Sequence, residues 1–371
     1  MAEHRPPKKM SARLEKLLFV LSSVAPDKEA ISNILKNLGY VDWQFLLKKS
    51  CDIDSAAVVY DNLRRLALLN ELSAQDKKIF KKTALIIMLD NTFKLKQFVR
   101  IARKLNSAGI KPMPLKGLSF ILDTYPSLSA RRLCDIDMLV DKNEIARCID
   151  ILKNMGYNVM ANYSQEVILK DRQSTFVDLH YSLIPWHEEK HIYKICSEDM
   201  LSRAYDFEFV NCRVKMFDKN DEVLYIAVMC ARNYYRNFCY YMNIDAIVKI
   251  HKPLNWDYIY AKAHAMQFTK KLNKIFSFLT QNMHTPIPMP KKTKIRLSGF
   301  DTDFFIKGRV RNFNAFTFFE APTIKDKICL LIIYLKWKLF LRLGQFKEYF
   351  NQRIYIHDIN IFKRTNRKQT V

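Results

Sequence analysis

Apolar positions in the first hundred residues recur at helical spacing. From about Ser11 to Asn106 they fall three and four residues apart, as at Leu85, Leu89 and Phe93. This is the period of amphipathic helices. The only glycine in this stretch is Gly39. The pattern predicts an N-terminal helical region over residues 1–104.

The period changes between residues 109 and 183. The new pattern predicts a helix near 118–122, a strand around Asp135 and a helix over 143–155 that ends at Gly156. Three further strands are predicted at 157–161, 166–170 and 175–181. This order predicts an α+β fold, with a small mixed-sheet core over residues 105–185.

Helical spacing returns over residues 221–283, where Asn255-Trp256-Asp257 starts one helix. The remaining chain is therefore predicted to form a C-terminal helical region over 186–290 and a basic, partly helical region over 291–371.

The predicted strand Cys134-Asp135-Ile136-Asp137-Met138-Leu139-Val140 carries two carboxylates on one face. Side chains alternate along a strand, so Asp135 and Asp137 project to one side while the apolar residues project to the other. Mg²⁺ binds through one or two carboxylates and takes its other ligands from water and phosphates. Asp135 and Asp137 are therefore candidate metal ligands.

A third carboxylate is expected on a neighbouring strand, and Asp178 is the candidate. It shares a face with Phe176 and His180 in the predicted strand 175–181. Three carboxylates can hold two metal ions about 4 Å apart. Asp178 is also the better candidate base, whereas His180 is expected at a strand end or behind the ligands.

Lys116, Gly117 and Arg131 precede the paired aspartates. Gly117 is informative because the chain has only 7 glycines, and a glycine before a helix lets backbone approach phosphate closely. Lys116 is either a nucleotide-binding residue or a surface lysine. Arg131 is expected either to contact phosphate or to hydrogen-bond the aspartates.

The motifs Leu115-Lys116-Gly117, Arg131, Asp135-x-Asp137 and Val177-Asp178-Leu179-His180 together resemble the bacterial uncharacterised nucleotidyltransferase family of the DNA polymerase β-like superfamily. The resemblance implies a polymerase-β-like core in which the glycine turn and the following helix hold a nucleoside triphosphate. Lys116 and Gly117 would then lie at the triphosphate, Asp135 and Asp137 at the metals, and Asp178 on the acceptor side. Leu118 and Cys134 depart from the wider superfamily, which has serine after the glycine and a small residue before the first aspartate.

A competing motif, His187-Glu188-x-x-His191, has the spacing of a zinc protease site. Zinc ligation requires both histidines on one face of a regular helix. Pro185 and Trp186 immediately precede the motif, and no clear third ligand follows. A solvated loop or helix start is the preferred interpretation.

Composition indicates an intracellular protein. The chain has 371 residues, 49% of them hydrophobic, which suits a globular protein of two or three domains. Its 8 cysteines form no C-x-x-C pair, as expected for reduced thiols in the cytoplasm. The N-terminus is polar and predicts no signal peptide.

Charge is strongly skewed, with a net charge of +24. Residues 291–371 contain 18 Lys+Arg and 6 Asp+Glu, a local excess of 18 − 6 = +12. Such a field favours an anionic partner such as RNA. The apolar run at 328–335 is too short to cross a bilayer, so no transmembrane segment is predicted.

These observations favour a nucleotidyltransferase that uses two Mg²⁺ ions to move a nucleoside monophosphate from a nucleoside triphosphate to a hydroxyl acceptor. The acceptor is left open among RNA, a small molecule and a protein hydroxyl. Two alternatives remain: a catalytically silent, basic RNA-binding module, and a membrane-surface protein docked through residues 328–343.

Overall fold

The N-terminal region is helical, as the apolar spacing predicts. In the computed structural model, which describes residues 8–290, 305 and 321–332, it contains four short helices and one of 34 residues. Asp27, Asp42 and Ser73 cap three of these helices by accepting backbone N–H groups. The helices are α1 (Lys8–Leu21), α2 (Lys28–Leu38), α3 (Trp43–Asp52), α4 (Ala56–Arg65) and α5 (Ala74–Ser107).

A five-stranded mixed sheet follows, so the predicted α+β fold is confirmed. Its strand order is β1-β2-β5-β4-β3, in which β2 and β5 run parallel and the other neighbours run antiparallel. The elements are β1 (Met113–Pro114), α6 (Lys116–Asp123), β2 (Ile136–Leu139), α7 (Ile145–Asn154), β3 (Asn158–Asn162), β4 (Glu166–Lys170) and β5 (Phe176–His180).

The rest of the described chain is mainly helical but contains a hairpin that the sequence analysis missed. Its second strand alternates between buried Cys212, Val214 and Met216 and more exposed basic residues, a pattern that could have been recognised. Its first strand is mostly exposed and has no such signal. The elements are α8 (Trp186–Glu188), a π-helical turn (Glu189–Tyr193), α9 (Ser197–Ser202), β6 (Tyr205–Phe209), β7 (Cys212–Met216), α10 (Lys219–Arg232), α11 (Phe238–Ile250), α12 (Trp256–Ala265) and α13 (Thr269–Asn282).

Two hydrophobic cores organise the structure. One joins the buried face of the sheet to the C-terminal half of α5, to α7 and to β7. The other joins α1 and α4 to α10, α11 and α13, so helices from both ends of the described chain pack together. Buried Asp245 links these helices, because it accepts hydrogen bonds from Ser23 Oγ (2.6 Å) and Thr285 Oγ1 (2.7 Å). The domain boundaries given above stay a prediction.

Helix α5 shows where the apolar spacing was misleading. The residues that predicted the helix include Leu85, Leu89 and Phe93, which are 47%, 60% and 38% exposed. The buried positions of α5 include Phe80, Phe98 and Ile101. Apolar spacing therefore predicted the helix correctly, but it did not identify the face that packs.

Most of the basic C-terminal region lies outside the described residues, including all of 333–371 and thus most of the proposed membrane-docking segment. A short helical segment is described at 324–332, where Ile328 is 52% exposed. Within the described chain, no helix combines the length and the apolar character needed to span a bilayer.

The packing of α5 can be tested with two phenylalanines on the same helix. Phe98 is fully buried, whereas Phe93 is 38% exposed. We expect Phe98→Ala to lower the free energy of unfolding by about 3 to 5 kcal/mol through lost burial and cavity formation. Phe93→Ala should cost about 1 kcal/mol or less. Denaturant titration measures both values, and equal losses would contradict the described orientation of α5.

Candidate active site

The paired aspartates lie at β2 with the orientation that strand alternation predicts. Ile136, Met138 and Val140 are buried in the sheet core, and the two carboxylates belong to the opposite face. Asp135 directly precedes β2, and Asp137 within it is only 3% exposed.

Asp178 lies on the neighbouring strand, as predicted. In the parallel pairing of β2 with β5, Asp137 is the direct partner of Asp178. One ligand atom from each of Asp137, Asp178 and His180 lies within 4.8 Å of the other two. The parallel pairing thus brings together side chains that are about 40 residues apart in the chain.

The pKa values of Asp135 and Asp178 are raised. The charge of Asp137, together with burial, raises the pKa of Asp135 to about 7. Burial, together with the charges of Asp137 and Asp135, raises the pKa of Asp178 to about 8. Like charges this close cannot all ionise readily without a cation between them. The donor set therefore fits a divalent metal ion.

Lys116, whose side chain is 20% exposed, forms an ion pair with the buried Asp137 Oδ1. Burial lowers the pKa of Lys116, but the charges of Asp137 and the other acidic groups nearby together more than offset it and raise that pKa well above its ordinary value. Burial likewise opposes ionisation of Asp137, yet Lys116 and His180 bring its pKa below the usual range. Lys116 adopts a positive φ of 49° at the start of α6, a conformation that is uncommon outside glycine.

His180 lies between two carboxylates. Its Nε2 is 3.1 Å from Asp137 Oδ1 and its Nδ1 is 3.1 Å from Glu166 Oε2, although the latter contact lacks hydrogen-bond alignment. Burial raises the pKa of Glu166, but His180 and Lys116 more than offset this and hold it below the ordinary value.

Glu166 was missed by the sequence analysis. It faces His180 across the antiparallel β4–β5 pair and is only 5% exposed. A signal was available, because Glu166 lies on the face of its predicted strand opposite to Val167 and Leu169.

Gly117 makes room for the side chain of Arg131. A Cβ atom at residue 117 would lie 1.7 Å from Arg131 Nη1 and 2.8 Å from Leu133 Cδ2. Arg131 Nη1 donates to the carbonyl of Arg132 (3.4 Å), whereas its buried Nε has no partner among the described residues. Within the same residues, Arg131 makes no hydrogen bond to Asp135 or Asp137.

Asn91 of α5 holds the loop that carries Arg131. Its Nδ2 donates to the carbonyls of Leu128 and Arg131 (2.6 Å for the latter), and its Oδ1 accepts from the N–H of Leu133 (2.9 Å). Asn91 is fully buried. The sequence analysis did not identify this residue, since a single polar residue in a long helix gives no signal by itself.

Helix α6 is also fixed from its other side. Ser119 Oγ donates to Glu222 Oε1 (2.6 Å), and Lys219 bridges Glu222 (2.6 Å) and Asp123 (2.7 Å). These contacts join α6 to α10 and so position the turn that bears Lys116.

In the His187-Glu188-x-x-His191 motif, the glutamate makes contacts that stabilise the fold. Glu188 is 1% exposed and accepts from Arg232 Nε (2.6 Å) and Nη2 (3.2 Å). The predicted helix start is confirmed by α8, whereas the predicted solvation is wrong for Glu188. The helix has only three residues before the π-helical turn, so it does not provide the regular helix that the zinc motif requires.

A groove of about 660 Å³ lies elsewhere, along α5 and the β6–β7 turn. Its lining residues do not include any of those at the carboxylate cluster. We assign the chemistry to the cluster because that is where the ionisable groups converge.

A family model described as "Uncharacterised nucleotidyltransferase" matches residues 39–284. Nothing among the curated proteins matches the chain. One similar solved structure is the lincosamide antibiotic adenylyltransferase LnuA with lincomycin bound, at 14% identity and a TM-score of 0.30; the match covers 41% of this chain and 94% of that one. Another is an antigenic nucleotidyltransferase-like protein from Paracoccidioides brasiliensis, at 14% identity and a TM-score of 0.31, covering 54% of this chain and 88% of that one. At these TM-scores the two structures carry no argument about this chain.

The contact between Gly117 and Arg131 predicts a coupled pair of substitutions. Gly117→Ala should lower the free energy of unfolding by about 1 to 3 kcal/mol, because the new methyl group overlaps the guanidinium. In an Arg131→Ala background the same change should cost less. A double-mutant cycle by denaturant titration measures the coupling, and strictly additive costs would show that residue 117 has room without moving Arg131.

The raised pKa of Asp178 predicts the sign of a pH effect in metal-free protein. A carboxyl whose pKa is about 8 when folded and about 4 when unfolded holds its proton more tightly in the folded state. Its contribution to stability is therefore lost as pH rises from about 4 to about 8. We expect unfolding free energies of the wild type to fall more steeply over this range than those of Asp178→Asn. If the unfolding free energies of the two proteins changed in parallel with pH, the raised pKa of Asp178 would be contradicted.

Proposed function

The chain belongs to the family of uncharacterised nucleotidyltransferases, and on this premise we propose that it transfers a nucleoside monophosphate from a nucleoside triphosphate to a hydroxyl acceptor with the help of Mg²⁺. The observation that carries this proposal is the direct pairing of Asp137 with Asp178 across β2 and β5, beside Asp135. Hard carboxylate oxygens are the ligands that Mg²⁺ prefers.

Asp135, Asp137 and Asp178 would hold two Mg²⁺ ions. Bound there, the ions would neutralise charge on the transferring phosphate and lower the pKa of the acceptor hydroxyl. The raised pKa values of Asp135 and Asp178 support this assignment, because the charge of Asp137 is the largest cause for Asp135 and the second, after burial, for Asp178.

The remaining polar groups suit the triphosphate. We assign Lys116 and Arg131 to phosphate binding, because both cations lie beside the carboxylates and Arg131 has an unpartnered Nε among the described residues. Guanidinium groups suit phosphate oxygens through paired hydrogen bonds. Gly117 contributes by leaving space for Arg131.

In the proposed reaction the acceptor oxygen attacks the α-phosphorus and the bond from that phosphorus to the bridging oxygen breaks. Pyrophosphate leaves with the electron pair, and the acceptor proton passes to Asp178. Positioning and charge neutralisation supply most of the rate enhancement in such reactions.

The acceptor is RNA, a small molecule or a protein hydroxyl in this proposal. A net charge of +24 supports an anionic acceptor. All 8 cysteines are free thiols, which supports a cytoplasmic location. The deciding experiment supplies each α-labelled nucleoside triphosphate with Mg²⁺ and separate RNA, metabolite and protein fractions, and then locates the label.

Substitutions at Asp135 and Asp178 test the metal assignment. We expect Asp135→Asn and Asp178→Asn each to reduce transfer by at least about 10³-fold, because a metal ligand stabilises the transition state by several kcal/mol. Asp150→Asn, which changes an exposed carboxylate on α7, should retain the wild-type rate. Asp137 is a poorer choice, because its loss leaves the buried Lys116 ammonium unpaired and destabilises the fold.

Rates are measured by release of labelled pyrophosphate, and folding is monitored by circular dichroism. Transfer at the wild-type rate in folded Asp178→Asn would refute its assignment as a metal ligand and base.

A further inference from the structure

The burial and the position of His180 suit a metal ligand. It is 1% exposed, at the end of β5, and its Nε2 lies 3.1 Å from Asp137 Oδ1. Neighbouring ligand atoms of an octahedral ion with bonds of about 2.1 Å are about 3 Å apart. The measured separation therefore suits two atoms that share an ion.

Glu166 provides the support that metal-binding histidines usually have. A ligating histidine almost always directs its second ring nitrogen at a carboxylate, carbonyl or water, which fixes the ring and its tautomer. In this protein Nδ1 of His180 lies 3.1 Å from Glu166 Oε2, and Glu166 faces it from β4. The ring thus lies with its Nδ1 side towards Glu166 and its Nε2 side towards the carboxylate cluster.

A simpler role for His180 would be to donate a hydrogen bond that neutralises Asp137. His180 shares that role with the Lys116 ammonium, which pairs with the same Oδ1 atom. One ligand atom of His180 also lies within 4.8 Å of a ligand atom of Asp178, so the ring belongs to the whole cluster.

We propose that His180 is a nitrogen ligand of one of the two divalent metals, that Glu166 orients its ring, and that the site consequently binds Mn²⁺ more tightly than Mg²⁺. The inference rests on the proposed function, which supplies the metals. Imidazole nitrogen favours transition metals, whereas a set of oxygen ligands alone suits Mg²⁺.

The test uses the full chain loaded with Mn²⁺, without nucleotide, and examined by pulsed electron paramagnetic resonance. Bound Mn²⁺ coordinated by imidazole shows modulation from the ¹⁴N nucleus, and an ion held by oxygen alone does not. We expect this modulation in the wild type and its loss in His180→Gln. His187→Gln changes a partly buried histidine outside the cluster and should keep it.

Affinities provide a second measurement, from titration of the free Mn²⁺ signal and from competition with Mg²⁺. His180→Gln should raise the Kd of Mn²⁺ by about 10- to 100-fold and that of Mg²⁺ by much less. Glu166→Gln should keep the nitrogen modulation but weaken Mn²⁺ binding by about 10-fold.

Bound Mn²⁺ without nitrogen modulation in the wild type would overturn the inference, and that measurement does not depend on whether any variant folds. Modulation that persists in His180→Gln would overturn it equally. Nucleotidyl transfer in Mg²⁺ together with either result would leave the proposed function standing. Absence of both transfer and metal binding in the wild type would instead refute the proposed function.

Discussion

The largely buried ion pair between Lys116 and Asp137 is the interaction on which the site depends. An unpaired charge at either position would be costly, because neither group is well solvated. The pair therefore fixes the first residue of α6 against β2, with Lys116 at a positive φ. That placement brings Gly117 beneath Arg131, where only a residue without a side chain fits. Asp137 therefore positions Lys116 by charge. The position of Lys116 in turn places Gly117, which has no side chain and so leaves room for Arg131.

The site forms where the two hydrophobic cores meet, which explains why the sheet alone would not position it. The sheet core orients the aspartates, but α6 is fixed to α10 through Ser119 and Glu222. Tyr125, just beyond α6, donates to Asn243 of α11 (3.0 Å). On the other side, Asn91 of α5 secures the loop of Arg131. Helices from both flanking regions therefore contribute to the geometry of the central unit.

Strand alternation allowed the sequence to indicate which faces carry Asp135, Asp137 and Asp178, because that periodicity is a local property. It could not indicate that Asp137 and Asp178 are direct partners, since strand order and register depend on contacts between distant segments. Asn91 was missed for the same reason, because it acts on a loop elsewhere in the chain, whereas Glu166 lay on a recognisable polar strand face and was overlooked. The exposed face of α5 was misjudged because periodicity identifies a stripe and not its partner. The β6–β7 hairpin was not predicted from the sequence, because its first strand is largely exposed.

The carboxylates at the site carry charge of the opposite sign to the net charge of the whole protein. The chain carries +24 and attracts phosphate over roughly a Debye length of 10 Å, yet its centre gathers four carboxylates from Asp135, Asp137, Glu166 and Asp178. Lys116, which could meet a triphosphate, is already paired with Asp137. A triphosphate without cations would therefore be drawn to the surface and repelled at the centre. Divalent ions bound there would remove the repulsion at the centre, since they would neutralise the carboxylates and release Lys116. Under the proposed function, nucleotide binding and metal binding at this site are therefore expected to be coupled, with each raising the affinity for the other.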